Sequence, residues 1–205
     1  NPLTGTMGPE VTSLNGNHHF ARLNPSVGLS FNPSKELGFF GGYSESMRAP
    51  TSIEVSCADK NHPCNLPTGF NGDPDLKEVV AKSWEAGARG KFNLLDSKLN
   101  WNAAAYNSYN FNDIQFISAT ATTGYFQNVG KTKRTGFEIG LNTKIDKLLL
   151  AASYGYVDAT FRSSFDANAE ANSSNDNGQI HVTKGNKIPG ISDQTLKLRA
   201  RSEEH

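Results

Sequence analysis

Long apolar runs are missing from this chain: no stretch approaches the ~18 consecutive apolar residues that a membrane-crossing helix requires. Helical insertion is thereby excluded, but a spanning strand is not, since it needs only ~9–11 residues in alternation. Net charge is missing as well, because Lys plus Arg and Asp plus Glu each number 20. No electrostatic case exists for a nucleic-acid groove or for a polybasic membrane anchor. Cysteine is confined to Cys57 and Cys64. The chain starts at Asn1 with neither an initiator Met nor a charged-then-apolar leader, so a targeting signal is expected upstream and the chain reads as a piece of a longer protein.

What is present is alternation. With 36% hydrophobic residues, a mean hydropathy of −0.52 and 19 glycines, the composition suits a polar barrel interior better than a packed soluble core. In Leu37 to Ser44, Leu37, Phe39, Gly41 and Tyr43 fall on one side of an extended segment and Gly38, Phe40, Gly42 and Ser44 on the other. In Trp84 to Phe92 the split is Trp84, Ala86, Ala88, Gly90 and Phe92 against Glu85, Gly87, Arg89 and Lys91. In Gly136 to Asn142 the apolar set is Phe137, Ile139 and Leu141. The period predicts strands at about Ala21–Phe31, Leu37–Glu45, Lys82–Phe92, Lys98–Ser108, Gly124–Asn142, Leu148–Phe161 and Thr195–Arg201. Pro50 removes a backbone donor and biases Ala49 toward extended geometry, so pairing should lapse there.

Connections alternate in length. Residues 32–36, 93–97 and 143–147 read as short turns, whereas about 47–81, 109–123 and 162–193 read as long loops. In an antiparallel meander every second connection lies at the same end, so one end is trimmed and the other elaborated. Outer-membrane barrels carry short periplasmic turns and long extracellular loops in this way. Tyr43, Trp84, Phe92, Trp101, Tyr125, Phe126, Tyr154, Tyr156 and Phe161 lie toward strand ends, where interfacial aromatic girdles sit. A buried soluble β core is the competing explanation of the same residues. The segment 165–178 is low in apolar content and is expected to be a mobile loop.

Sites of chemistry are few. Cys57 and Cys64 lie in one polar loop, where an oxidising compartment would make them a local disulfide. A metal pair with His62 is the alternative, although the three fit no standard zinc spacing. Gly124 to Thr132 imitates a phosphate loop, but five residues separate Gly124 from Gly130-Lys131 where four are needed, and a strand rather than a helix follows. The carboxylates and amides of 166–177 lack the glycine turn and terminal Glu of a calcium loop. His18, His19, His62, His181 and His205 show no two-histidine-and-acid spacing, and no Gly-x-Ser-x-Gly elbow occurs. Neither an enzyme nor a resident cofactor is indicated.

Tyr43-Ser-Glu-Ser-Met-Arg-Ala-Pro50, then Asp75-Leu-Lys-Glu78 and Trp84-Glu-Ala-Gly-Ala-Arg89, resembles in order the C-terminal barrel half of TonB-dependent outer-membrane receptors. Phe126-Gln-Asn-Val-Gly130, Thr135-Gly-Phe-Glu-Ile-Gly140, Tyr154 to Phe161 and Lys187-Ile-Pro-Gly190 are similar to later strands and loops of that family, and the likeness runs from about Leu14 to Arg201. Trp84 stands where the family more often has Tyr. The resemblance implies an all-β, antiparallel up-and-down transmembrane β-barrel, of whose about twenty-two strands this chain supplies about seven across residues 1–205, without the plug domain and the closing strands. It implies capture of a scarce ligand, above all a ferric siderophore, with haem, cobalamin and oligosaccharides behind. The implied partners are the plug domain, the TonB energy transducer and outer-membrane lipid. Ligand contacts would come from loop tips, with Arg48, Tyr109, Phe111 and Phe116 as candidates and Cys57–Cys64 stiffening the largest loop. Two other readings compete, a passive porin or autotransporter barrel and a soluble β-sandwich binding module.

Overall fold

A computed structural model describes residues 17–65, 76–94, 97–170 and 172–202. Residues 95–96 of the predicted 93–97 turn, Asp75, the start of the resemblance at Leu14, residues 66–75 of the first long loop and His205 lie outside the described residues. The chain is built almost wholly of antiparallel strands. They are β1 (Ser26–Phe31), β2 (Leu37–Arg48), β3 (Val79–Leu94), β4 (Ser97–Phe111), β5 (Ile114–Ser118), β6 (Gly124–Asn128), β7 (Thr132–Ile145), β8 (Leu148–Phe161), β9 (Phe165–Asn168), β10 (Gln179–Val182) and β11 (Gln194–Ser202), with one helical turn, α1 (Ser52–Val55). Seven strands form one sheet in the order β1-β2-β3-β4-β7-β8-β11, while β5-β6 and β9-β10 are separate hairpins standing on its elaborated end.

The pairing register turns the period of two into a two-sided wall, because directly paired residues point to the same face. One rung crosses all seven strands as Phe31, Phe39, Ala88, Ala103, Ile139, Tyr154 and Leu196. The next rung on that face is Leu29, Gly41, Ala86, Ala105, Phe137, Tyr156 and Gln194. Between them, on the opposite face, runs Ser30, Phe40, Gly87, Ala104, Glu138, Gly155 and Thr195. Toward the short turns that opposite face carries Arg89, Asn102, Ser153 and Lys197, then Lys91, Asn100, Asn142 and Arg199. One face is greasy over the whole width, and the other is polar or small except at Phe40.

The buried core does not lie under this sheet. Leu29 is 82% exposed, Trp84 61% and Leu198 74%, whereas the buried side chains gather among the long connections. Ile117, Ala119, Tyr125, Val129, Ala159, Phe161, Ala167 and Ile188 form one cluster, and Leu76, Val79 and Ile114 a second. The greasy face has no protein layer against it among the described residues.

Strand ends differ from the sequence expectation where turn chemistry intervenes. The predicted strand Gly124–Asn142 is two strands, β6 and β7, separated at Gly130, whose φ of +81° suits glycine and breaks the extended path. Segment 165–178, expected as a mobile loop, begins with β9 and folds back through Asn177 and Gly178, both at positive φ, to pair with β10. β2 stops at Arg48, ahead of Pro50, and β7 turns into β8 through Asp146-Lys147, with Asp146 at φ +50° as a tight hairpin requires.

Close approach between strands fixes some glycines. A Cβ at Gly136 would lie 2.2 Å from the Tyr156 carbonyl oxygen and 2.7 Å from the Tyr106 hydroxyl, whereas one at Gly28 meets nothing nearer than 3.7 Å. Gly136→Ala is therefore expected to destabilise the fold by about 1–3 kcal/mol, and Gly28→Ala to stay within about 0.5 kcal/mol. Denaturant midpoints measured side by side check this, and equal midpoints would contradict the register.

Candidate functional site

The elaborated end is organised around the β5–β6 hairpin. Phe116 pairs with Phe126 across it, with ring centroids 5.1 Å apart. The first long loop runs alongside β6 as if it were a further strand: Cys64 N–H donates to the Gly124 carbonyl at 2.8 Å, Gly124 N–H returns to Cys64 at 3.0 Å, and Phe126 N–H donates to Cys57 at 2.7 Å. Cys57 and Cys64 are joined in a disulfide and both are fully buried. The thiols are therefore not available to a metal, and His62 instead faces Asp59 at 2.7 Å.

Two side chains pin further segments to the hairpin. The Asn128 amide donates to the carbonyls of Asn112, at 2.7 Å, and Lys77, at 3.1 Å, while its oxygen accepts from Lys77 N–H at 2.9 Å. The Tyr125 hydroxyl, almost wholly buried, accepts from Asn168 N–H at 3.0 Å and so ties in the β9–β10 arm. Sequence reasoning passed over Asn128 and counted Tyr125 among the strand-end girdle aromatics, whereas its ring is buried in the loop cluster. An Asn and a Tyr inside a five-residue alternating strand look like ordinary strand residues until their partners from distant loops are known.

On the polar face, at the rim beneath these loops, charges are interlocked. Arg48 makes a bidentate pair with Glu54, at 2.6 and 3.0 Å. Glu54 also accepts from Thr51 N–H at 2.7 Å, closing a capping box around α1. Burial opposes ionisation of Glu54, but the hydrogen bonds from Arg48 and Thr51 outweigh it and hold the carboxyl below its usual range. Buried Asp113 accepts from the Thr132 hydroxyl at 2.6 Å and lies 3.5 Å from Arg134. Below this group runs a hydroxyl row in which Ser44, Ser83 and Ser108 lie in register with Arg134, and Ser83 bonds Ser108 at 2.8 Å. Asp113 and Arg134 were missed at the sequence level, being solitary charges in unremarkable surroundings.

The four residues singled out as ligand contacts do not converge. Arg48 lies on the polar face, as the last residue of β2. Tyr109 and Phe111 lie on the opposite, greasy side of β4, in register with Lys82 and Val80, and the Lys131 ammonium stands over both rings at 4.1 and 4.8 Å. Phe116 sits on the hairpin and is 43% exposed. A separate concavity of about 820 Å³ lies at the short-turn end, bordered by Arg89, Lys91, Asn100, Asn102 and Asn142. It lies between the turn before β2 and the polar side chains of β3, β4 and β7, away from the long loops.

A seven-stranded antiparallel wall, greasy on one side and polar on the other, with short turns at one end and packed loops at the other, is an arc of a membrane β-barrel. Seven strands fall short of the eight or more with which such barrels close. The family described as TonB dependent receptor-like, beta-barrel matches residues 4–202, and the chain belongs to that family. It is 28% identical over 173 residues to a protein named Probable TonB-dependent siderophore receptor PiuA, from Acinetobacter baumannii; the match covers 84% of this chain and 21% of that one. The crystal structure of the siderophore receptor PiuA from Acinetobacter baumannii superposes with a TM-score of 0.51 at 22% identity, over 86% of this chain and 23% of that one. The chain thus spans about a fifth of the length of these relatives. The family is one of outer-membrane transport receptors rather than enzymes.

Two outcomes are expected at the loop end. Replacing both cysteines by serine releases a short loop and costs about 2.5 kcal/mol of local order, so hydrogen exchange at the Phe126 amide should quicken roughly sixtyfold; unchanged exchange would show that the disulfide does not hold β6. His181 in β10 forms an ion pair with Asp166 through Nδ1, and that hydrogen bond raises its pKa above the ordinary 6.5. The pair therefore supports the arm fully below pH 6.5 and is lost as pH rises through the folded-state value. A titration of the imidazole by NMR should give a midpoint above 6.5 that falls back toward it in Asp166→Asn.

Proposed function

We propose that this chain forms part of an outer-membrane receptor that captures a scarce ligand, a ferric siderophore, and imports it with energy delivered by TonB. One observation carries the membrane reading: an unpartnered greasy face that runs in register across seven strands. From Trp84 to Phe92, or from Leu148 to Tyr156, the apolar or aromatic stretch is about 26 Å along the strand, which is about 19 Å of height at a ~45° tilt and covers the larger part of the ~25 Å apolar band of a bacterial outer membrane. A soluble sandwich would need a second layer over that face. Membership of the receptor family favours active import over a passive pore.

In this reading the polar face lines the lumen, where the plug domain of a complete receptor sits, and the packed loops form the mouth. Ferric chelates present an oxygen-rich, commonly anionic surface. The rim offers matching donors in Arg48, Arg134 and the serine row, and the hairpin adds the exposed ring of Phe116. Glu54 and Asp113 hold the two guanidinium groups in place and set the mouth's polarity. Haem, cobalamin and oligosaccharides are the other ligand classes such a mouth could take.

The test is uptake of radio-iron supplied as a ferric siderophore to cells producing the receptor, with and without a protonophore. Uptake should require the proton gradient, and Arg48→Ala should weaken chelate binding about tenfold, the loss of one charge-assisted hydrogen bond. Uptake that persists without the gradient would point to a passive pore. A protein that remains soluble without detergent would remove the membrane reading altogether.

A further inference from the structure

The greasy face does not end in water but in a ring of lysines. Two residues above the rung of Tyr43 and Trp84, whose rings are 4.6 Å apart, the same face carries Glu45, Lys82, Tyr109, Lys133 and Thr160 across β2, β3, β4, β7 and β8. Lys131 comes in from the turn before β7 and stands 4.1 Å from the Tyr109 ring centre and 4.8 Å from that of Phe111. Lys133 lies 5.8 Å from Tyr109, and Lys82 lies 5.8 Å from Phe111. The rings hold the ammonium groups close to the wall, and cation–π contact leaves N–H donors free to face outward.

The charge here is not balanced. Glu45 engages Lys82 at 2.9 Å and Arg22 at 2.6 Å, and Asp158 lies one rung lower on β8. Among the described residues no carboxylate forms an ion pair with Lys131 or Lys133. Strand alternation points Lys82, Tyr109, Phe111 and Lys133 away from the polar face, and the Lys131 ammonium stands over the two rings on that same side, so a ligand inside the barrel cannot reach them. A molecule that does reach them must also lie along Trp84 and the apolar rungs below, and must therefore carry acyl chains under an anionic head.

We propose that Lys82, Lys131 and Lys133, with Tyr109 and Phe111 between them, form a docking site for a phosphorylated lipid headgroup of the surrounding outer leaflet. Phosphate matches the donors and charge of paired lysines, and the acyl chains continue onto the greasy rungs. The inference rests on the membrane reading given above. It also gives Tyr109 and Phe111 a role on the outer wall instead of in the ligand-binding mouth.

The experiment uses the protein extracted from its own outer membrane in mild detergent. It is titrated with a bis-phosphorylated, acylated disaccharide lipid, and bound lipid is counted by native mass spectrometry. Each lysine near an anionic surface contributes about fivefold to binding, so Lys131→Gln with Lys133→Gln should weaken retention about 25-fold. Lys60→Gln with Lys184→Gln, an equal change of charge on exposed loops, should leave it as it was. Equal binding by the lysine double variant and the parent, in protein that inserts normally with unchanged heat-modifiable mobility, would overturn the inference alone. Displacement of the lipid by excess inorganic phosphate would overturn it too, since the site would then hold free phosphate without reading the lipid. Protein that never reaches the outer membrane would overturn both the proposed function and this inference.

Discussion

Everything in this molecule depends on strict alternation held in register from strand to strand. A strand alone has two faces only nominally; its side chains sort into surfaces once each neighbour pairs residue for residue. Here the rung from Phe31 to Leu196 stays apolar or small across all seven strands, and the rung beside it stays free of large apolar groups except Phe40. A one-residue slip between β3 and β4 would bring Trp101 to the polar side and Asn102 to the greasy one. The cost of such a slip is paid at every rung, so the register is specified by the whole sheet rather than by any one contact. In a hydrocarbon environment that specification is stricter still, because every backbone donor must find its partner on the next strand.

The long connections solve a different problem. A loop lying over a wall has backbone groups to satisfy and little apolar surface to bury. This chain gathers three segments, drawn from two of them, onto one hairpin. The disulfide-closed loop adds itself to β6 through Gly124 and Phe126, Asn128 clamps the segment before β3, and Tyr125 holds the β9–β10 arm. The buried cluster around Tyr125 and Val129 is then the only sizeable protein core among the described residues besides the small one at Val79. A wall that relies on lipid for its apolar burial still carries a conventional core where it emerges from the membrane.

The two halves of this architecture were unequally legible in the amino-acid sequence. Period two is local, so the strands around Trp84, Phe137 and Tyr154 could be placed from their own residues, as could the alternation of short and long connections. Gly130 was harder, since a glycine in an alternating run can equally continue a strand, and only its positive φ shows that Gly124–Asn142 is two strands. The mouth was hardest. Arg48 meets Glu54 six residues on, Asp113 meets Arg134 from a separate segment, and nothing in the neighbourhood of any one of them announces its partner. Tyr109 and Phe111 illustrate the same limit. Their position near a strand end was visible, but the face they occupy follows from the register with Lys82 and Lys133.

That register also separates two kinds of aromatic residue which look alike in the sequence. Tyr125 is buried with its hydroxyl bonded inside the loop layer, where it acts as a structural peg. Trp84 and Tyr109 stand on the outer wall, Trp84 at the top of the apolar band and Tyr109 one rung higher, among ammonium groups. An aromatic ring suits both places because it joins a large apolar area to a polar edge or a cation-attracting face. Burial and partner, rather than residue type, therefore decide which rings hold the loops together and which meet the membrane boundary. The positions of the lysines follow from the same logic, since ammonium groups can stand above Trp84 only where the wall leaves hydrocarbon and meets polar headgroups.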